Sequence, residues 1–172
     1  MEQLLLDFES LPATAIPLMN PDELFGNCSR EILSRAQETG LWERKSARVH
    51  REDLSTYFSM WANTPPHGGL VAVGIENDGK ITGCLSQDQQ KINNLEKAGR
   101  ELCSDARYDI KRINVVNDRG EEDYVIVIRV YYRPDKVVEL ASGRGYIRRG
   151  DSRYTLSEEE KRELAIDKGQ VS

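Results

Sequence analysis

Four acids and two basic clusters are the residues of this chain whose types and spacing could do chemistry. Glu38 and Glu43 bracket a turn at Gly40, and Glu76 and Asp78 flank Asn77. If the segment 41–46 runs beside the segment 70–75, then Glu38, Glu43 and Asp78 converge. Hard oxygen ligands of this kind suit Mg²⁺ or Mn²⁺. An ion held there would activate water for phosphodiester cleavage, the catalytic reading of these three acids. The plainer reading makes Asp78 a turn former and Glu38 a solvated helix end. The first basic cluster, GRGYIRRGDSR, places Arg144, Arg148, Arg149 and Arg153 around Tyr146, with only Asp151 opposing them. A guanidinium grips two phosphate oxygens at once, and an aromatic ring stacks on an unpaired base. Arg44, Lys45, Arg48 and Arg51 make the second cluster. These clusters read equally as solvated surface, with Arg148 or Arg149 paired to Glu158–Glu160.

Between the clusters runs WANTPPHGGLVAVGIENDG, Trp61 to Gly79. Gly68 and Gly69 either supply backbone angles that other residues resist or let a ligand approach closely. With Asn63 they would shape the wall of a groove. No GxxxxGK[ST] occurs, so this is not a phosphate-binding P-loop.

These residues must be positioned by regular elements. Leu54, Tyr57, Phe58 and Trp61 fall at i, i+3, i+4 and i+7, one apolar stripe of a helix. Thr64 precedes Pro65, which stops it. Leu70–Ile75 is apolar on both faces, as in an interior strand. Asn77-Asp78-Gly79 predicts a hairpin, with 80–84 returning antiparallel. A capping box at Ser86–Gln89 opens a helix through Ile92, Leu95, Gly99 and Leu102. Strands are expected at 41–46, 108–117, 124–132, 137–140 and 145–148, and helices at 29–37 and, after a capping box at Ser157 and Glu160, to about 167. This order predicts an α+β fold with a mixed, mainly antiparallel sheet flanked by helices. Residues 1–28 read as an arm with Leu4, Leu5, Leu6 and Phe8, and 29–172 as the domain, a module excised from a longer chain.

The gross numbers exclude several classes. At 172 residues the chain suffices for one core plus an arm. No stretch approaches the length of a membrane span. Three cysteines without CxxC spacing fit free thiols in a reducing cytoplasm. The net charge of −5 is uneven: residues 1–43 hold 8 acids against 2 basic residues, the rest 21 against 22.

The residues Glu38…Glu43-Arg44-Lys45, Trp61-Ala62-Asn63-Thr64…Gly68-Gly69, Val73 to Gly83 and Tyr146 to Arg153, in this order, resemble the Schlafen AlbA-like domain. The resemblance covers about 29–167. It implies an α+β fold and association with DNA or RNA. In bacteria such domains typically precede winged-helix or helix-turn-helix segments of transcriptional regulators. Related animal proteins bind and cut structured RNA with three acids near a metal. Glu38 and Glu43 match two of them, while the third position is Asn77, which carries no charge. Arg44 also replaces the usual apolar residue. The expected function is therefore nucleic-acid binding through Lys45, Arg48, Asn63, Gly68, Gly69, Arg144, Arg148, Arg149 and Arg153. The alternatives are a metal-dependent endoribonuclease using Glu38, Glu43 and Asp78, and a homodimer assembled through the acidic, apolar arm.

Overall fold

A four-stranded sheet with helices on both faces carries the site. The computed structural model describes residues 18–171. The expected contacts of Leu4, Leu5, Leu6 and Phe8 lie outside that range. Asn20 caps helix α1, Pro21–Asn27, by accepting from Glu23 N, and Pro21 supplies the preset first turn. Ser29 caps α2, Arg30–Arg35. Then come β1 (Trp42–Lys45), α3 (Arg51–Ala62) and β2 (Gly69–Val73). They are followed by α4 (Gln89–Glu96), α5 (Ala98–Leu102), β3 (Arg107–Val116) and β4 (Glu122–Tyr131). A hairpin of β5 (Tyr146–Arg149) and β6 (Ser152–Thr155) precedes α6 (Glu158–Asp167). The α6 capping box is complete, with Ser157 and Glu160 bonding reciprocally.

The sheet order is β1-β2-β4-β3. Among the described residues only β1 and β2 run parallel, with Glu43 beside Val71. Every residue of β2 is buried, as its unbroken apolar run requires. Alternation along β2 and β4 serves two cores. Val71, Val73, Ile126 and Ile128 pack with Leu54, Phe58 and Trp61 of α3. Leu70, Ala72, Val125 and Val127 pack with Leu24 and Leu33 of α1 and α2 on the opposite face. The segment expected to be an arm thus contributes a helix to the second core. Its acid is also used: Asp22 pairs with the buried Arg129 at 2.9 Å.

The local differences from expectation have side-chain causes. Residues 80–84 make one bridge, Ile75↔Ile81, instead of a return strand. There the Asp123 carboxylate takes the N–H groups of Cys84 and Leu85, at 2.9 and 3.0 Å. Residues 137–140 form no strand either. The Val138 N–H and C=O are held by Asn63 and Ser59 side chains, which substitute for a ladder partner. Asp88, not Ser86, caps α4 by accepting from Lys91 N. The helical run breaks at Lys97, giving α5 as a separate turn. Polar β6, SRYT, carries no alternating signal that would predict a strand.

Candidate functional site

Strand β1 sends its residues alternately to two sides. Trp42 and Arg44 face α2, while Glu43 and Lys45 face α3. The Arg44 guanidinium is 6 % exposed and donates to the carbonyls of Leu33, at 2.7 Å, Ser34 and Ala36. It also pairs with Glu38 at 3.5 Å. These bonds tie the end of α2 to β1. Ser34 Oγ in turn donates to Gly79 O at 2.7 Å, docking the hairpin tip on the same helix end. Glu38, Glu43, Arg44, Lys45, Asn77 and Asp78 consequently line one open cleft of about 830 Å³.

Electrostatics in the cleft is a contest between burial and pairing. Burial raises the Glu38 pKa; Arg44 pulls it back and Glu43 pushes it further up. Burial likewise lowers the Arg44 pKa against the pull of Glu38 and Asp78. Desolvation wins for both partners. For Lys45 it loses: the Tyr57 hydroxyl, Glu43 and Glu38 overcome it, and the pKa rises. One carboxylate oxygen of Glu43 and one of Glu76 are buried without a hydrogen-bond partner. The other Glu76 oxygen accepts from Arg48 at 2.7 Å.

Glu38, Glu43 and Asp78, the set expected to hold a metal, share this cleft. Among the described residues no three His, Cys, Asp or Glu side chains form a group that could hold a metal. The positive charge of Arg44 stands with Glu38 and Asp78 in the same cleft. Asp78 is also committed to its turn, accepting from Lys80 N at 2.9 Å.

The basic clusters, distant in sequence, meet at Tyr57. Lys45 Nζ lies 5.1 Å from the centre of its ring, and Arg153 Cζ lies 5.9 Å from it. Arg153 also donates to Thr56 Oγ1 and stands 5.2 Å from the Tyr146 ring. Its cross-strand partner on the β5–β6 hairpin is Arg148. Arg148 N donates to Thr64 Oγ1 at 2.9 Å, anchoring the hairpin to the end of α3. The Arg148 guanidinium lies against Gly40, and any Cβ at position 40 would press on it. Arg48 is exposed and borders the adjoining depression with Lys45 and Glu76. Two arginines stand apart. Arg144 borders a separate hollow with Glu52, Asp53 and Tyr146, and Arg149 pairs with Glu160 at 2.9 Å.

Three residues expected to touch nucleic acid are interior. Asn63 is fully buried. Its amide donates to Val138 O and Tyr146 O, and its oxygen accepts from Val138 N and Lys168 Nζ, all at 2.9 Å. Gly68, at φ +71°, abuts the Val130 carbonyl, and Gly69 lies against the Trp61 ring, so a side chain fits at neither. Both glycines serve packing and chain reversal. Tyr57 was legible only as part of an apolar stripe. The signal for more is its hydroxyl, which no other member of the stripe carries.

A family model described as "Schlafen, AlbA_2" matches residues 38–157. No curated protein matches the chain. Among solved structures, the crystal structure of the DIP2311 protein from Corynebacterium diphtheriae is similar in fold, with a TM-score of 0.56 and 21 % sequence identity. The match covers 83 % of this chain and 28 % of that one. Among the described residues no helix is long and apolar enough to cross a membrane. The family match marks a nucleic-acid-related domain, and it spans the acid cleft, the Asn63 hub and the arginine hairpin alike. The chain belongs to the Schlafen, AlbA_2 family.

Proposed function

We propose that this domain binds nucleic acid at the surface where Lys45 and Arg153 gather around Tyr57 and Arg148 stands across the hairpin from Arg153, and that it is the N-terminal module of a transcriptional regulator. The observation that carries the reading is the convergence on one tyrosine ring of cations from β1 and from a hairpin a hundred residues later in the chain. Three cations held by packing against rings and backbone are preorganised to meet phosphates. Arg48 extends this surface, while Arg144 and Arg149 stand apart from it. Asn63, Gly68 and Gly69 support it from the interior without touching the ligand. The acids lining the cleft repel phosphate, so the backbone of the ligand tracks the arginine hairpin rather than the cleft floor.

The experiment is fluorescence anisotropy with labelled duplex DNA, single-stranded DNA and structured RNA at low salt. Binding to at least one is expected, weakening as salt rises. No binding to any of them refutes the proposal. The endoribonuclease reading has one observation in its favour, the unpartnered Glu43 oxygen. The charge of Arg44 within the acid set weighs against it.

A further inference from the structure

Strand β3 forms the long outer edge of the sheet. It pairs with β4 over ten residues, from Arg107↔Tyr131 to Val116↔Glu122. Among the described residues no strand pairs with its other side. Its hydrogen-bond phase follows from the turn: Asn117 N donates to Glu121 O at 2.9 Å. Odd-numbered residues of β3 therefore bond to β4. The even-numbered Tyr108, Ile110, Arg112, Asn114 and Val116 turn N–H and C=O outward. The Val116 carbonyl fits this phase, accepting from Arg30 Nε at 2.7 Å. Edge strands are usually blunted by shortness, proline, a bulge or charged side chains, and of these β3 carries the charges, of both signs, in Arg107, Asp109, Lys111 and Arg112. β3 has no proline, an unbroken register and Ile110 36 % exposed at its middle.

We propose that β3 pairs antiparallel with β3 of a second copy, with the two-fold axis passing through Ile110. Charge chooses this register. Outward-bonding residues must oppose outward-bonding residues, so the axis falls on a residue rather than between two. On Asp109, Lys111 or Arg112 it sets like charges directly opposite each other, which is destabilising. On Ile113 or Asn114 the pairing needs the Val116 carbonyl that Arg30 already occupies. On Tyr108 half of β3 would face loop residues. On Ile110 the two isoleucines oppose each other, Asp109 faces Lys111 of the partner subunit, and Tyr108 faces Arg112 of the partner subunit. The symmetry makes each favourable pair twice. Because β1 lies at the opposite edge, the Tyr57 surface stays open in this dimer, and the proposal stands independently of what that surface binds.

Sedimentation equilibrium of the full 172-residue chain over a wide concentration range tests it. The mass should rise from monomer to twice that value. Ile110→Lys, which places two lysines at the axis, should remain monomeric while keeping its circular dichroism and melting temperature. Asp109→Lys alone and Lys111→Asp alone should each weaken the dimer about tenfold by creating like-charge pairs. The combined Asp109→Lys/Lys111→Asp chain should recover it. A chain monomeric at every concentration overturns the proposal. So does a dimer indifferent to Ile110→Lys, or a double variant that does not recover.

Discussion

Arg148 and Arg153 face each other across the β5–β6 hairpin, one over the Gly40 turn and the other over the Tyr57 ring. This pairing joins two surfaces that are far apart in the chain, the acid-bracketed turn before β1 and the exposed edge of α3. Several outcomes depend on it and on the interior that supports it.

Asn63 should matter for stability and not for contact. Asn63→Ala removes partners from Val138, Tyr146 and Lys168 at once. It should destabilise the fold by about 3 kcal/mol, since unsatisfied buried groups carry most of that cost. Chemical denaturation measures the loss. The folded fraction should bind nucleic acid with unchanged affinity.

Arg44→Leu should be similarly costly, about 3 kcal/mol. It strips three backbone carbonyls of a donor and leaves Glu38 half-buried without its pair. Glu38 should then titrate even higher, because burial already raises its pKa and only Arg44 opposes that strongly. Carboxyl NMR titration reads this directly.

Much of the framework was legible because period and composition agree. The apolar stripe of α3, the all-apolar β2 and the β-branched β4 each face a core, and nothing local contradicts that. The box at Ser157 was legible because both of its bonds span three residues. Asn63 was not legible. Its partners lie 75, 83 and 105 residues away, so nothing near WANT shows that its polar group is satisfied inside. The same limit applies to Val138, where side chains replace the ladder expected at 137–140. The arginine clusters were visible as charge, but their meeting at Tyr57 depends on Thr64 anchoring β5. Arg44 departs visibly from the family pattern, while its role lies in the carbonyls of Leu33, Ser34 and Ala36, which the sequence alone does not bring to it.

Added Mg²⁺ or Mn²⁺ should leave the melting temperature unchanged, since a ligand that binds only the folded state raises it. Tyrosine and tryptophan fluorescence during thermal unfolding measures this. A rise that disappears in Glu43→Gln would restore a metal at the cleft and, with it, the nuclease reading.

Stability should peak near pH 9. Burial lowers the Lys168 pKa to about 8 from 10.5, despite its bonds to Asn63 and Lys136. Burial raises the Cys84 and Cys103 pKa values to about 12 from 9.0. From pH 8 upward the unfolded Lys168 holds a proton that the folded form releases, so stability rises with pH. Above pH 9 the two unfolded thiols lose protons that the folded ones keep, and stability falls. Each group contributes a slope of at most about 1.4 kcal/mol per pH unit. Denaturation midpoints between pH 7.5 and roughly 11 test this, and Lys168→Met should abolish the rising limb.

The most direct test of the central claim is the salt dependence of nucleic-acid affinity in the wild-type chain and in Arg148→Gln/Arg153→Gln. Plotting log affinity against log salt gives a slope of about −0.9 per phosphate neutralised on duplex DNA. The double variant should keep its fold, bind more weakly at low salt, and show a slope shallower by up to about 1.8. An unchanged slope and affinity would mean that the hairpin arginines do not meet phosphate, and would contradict the account.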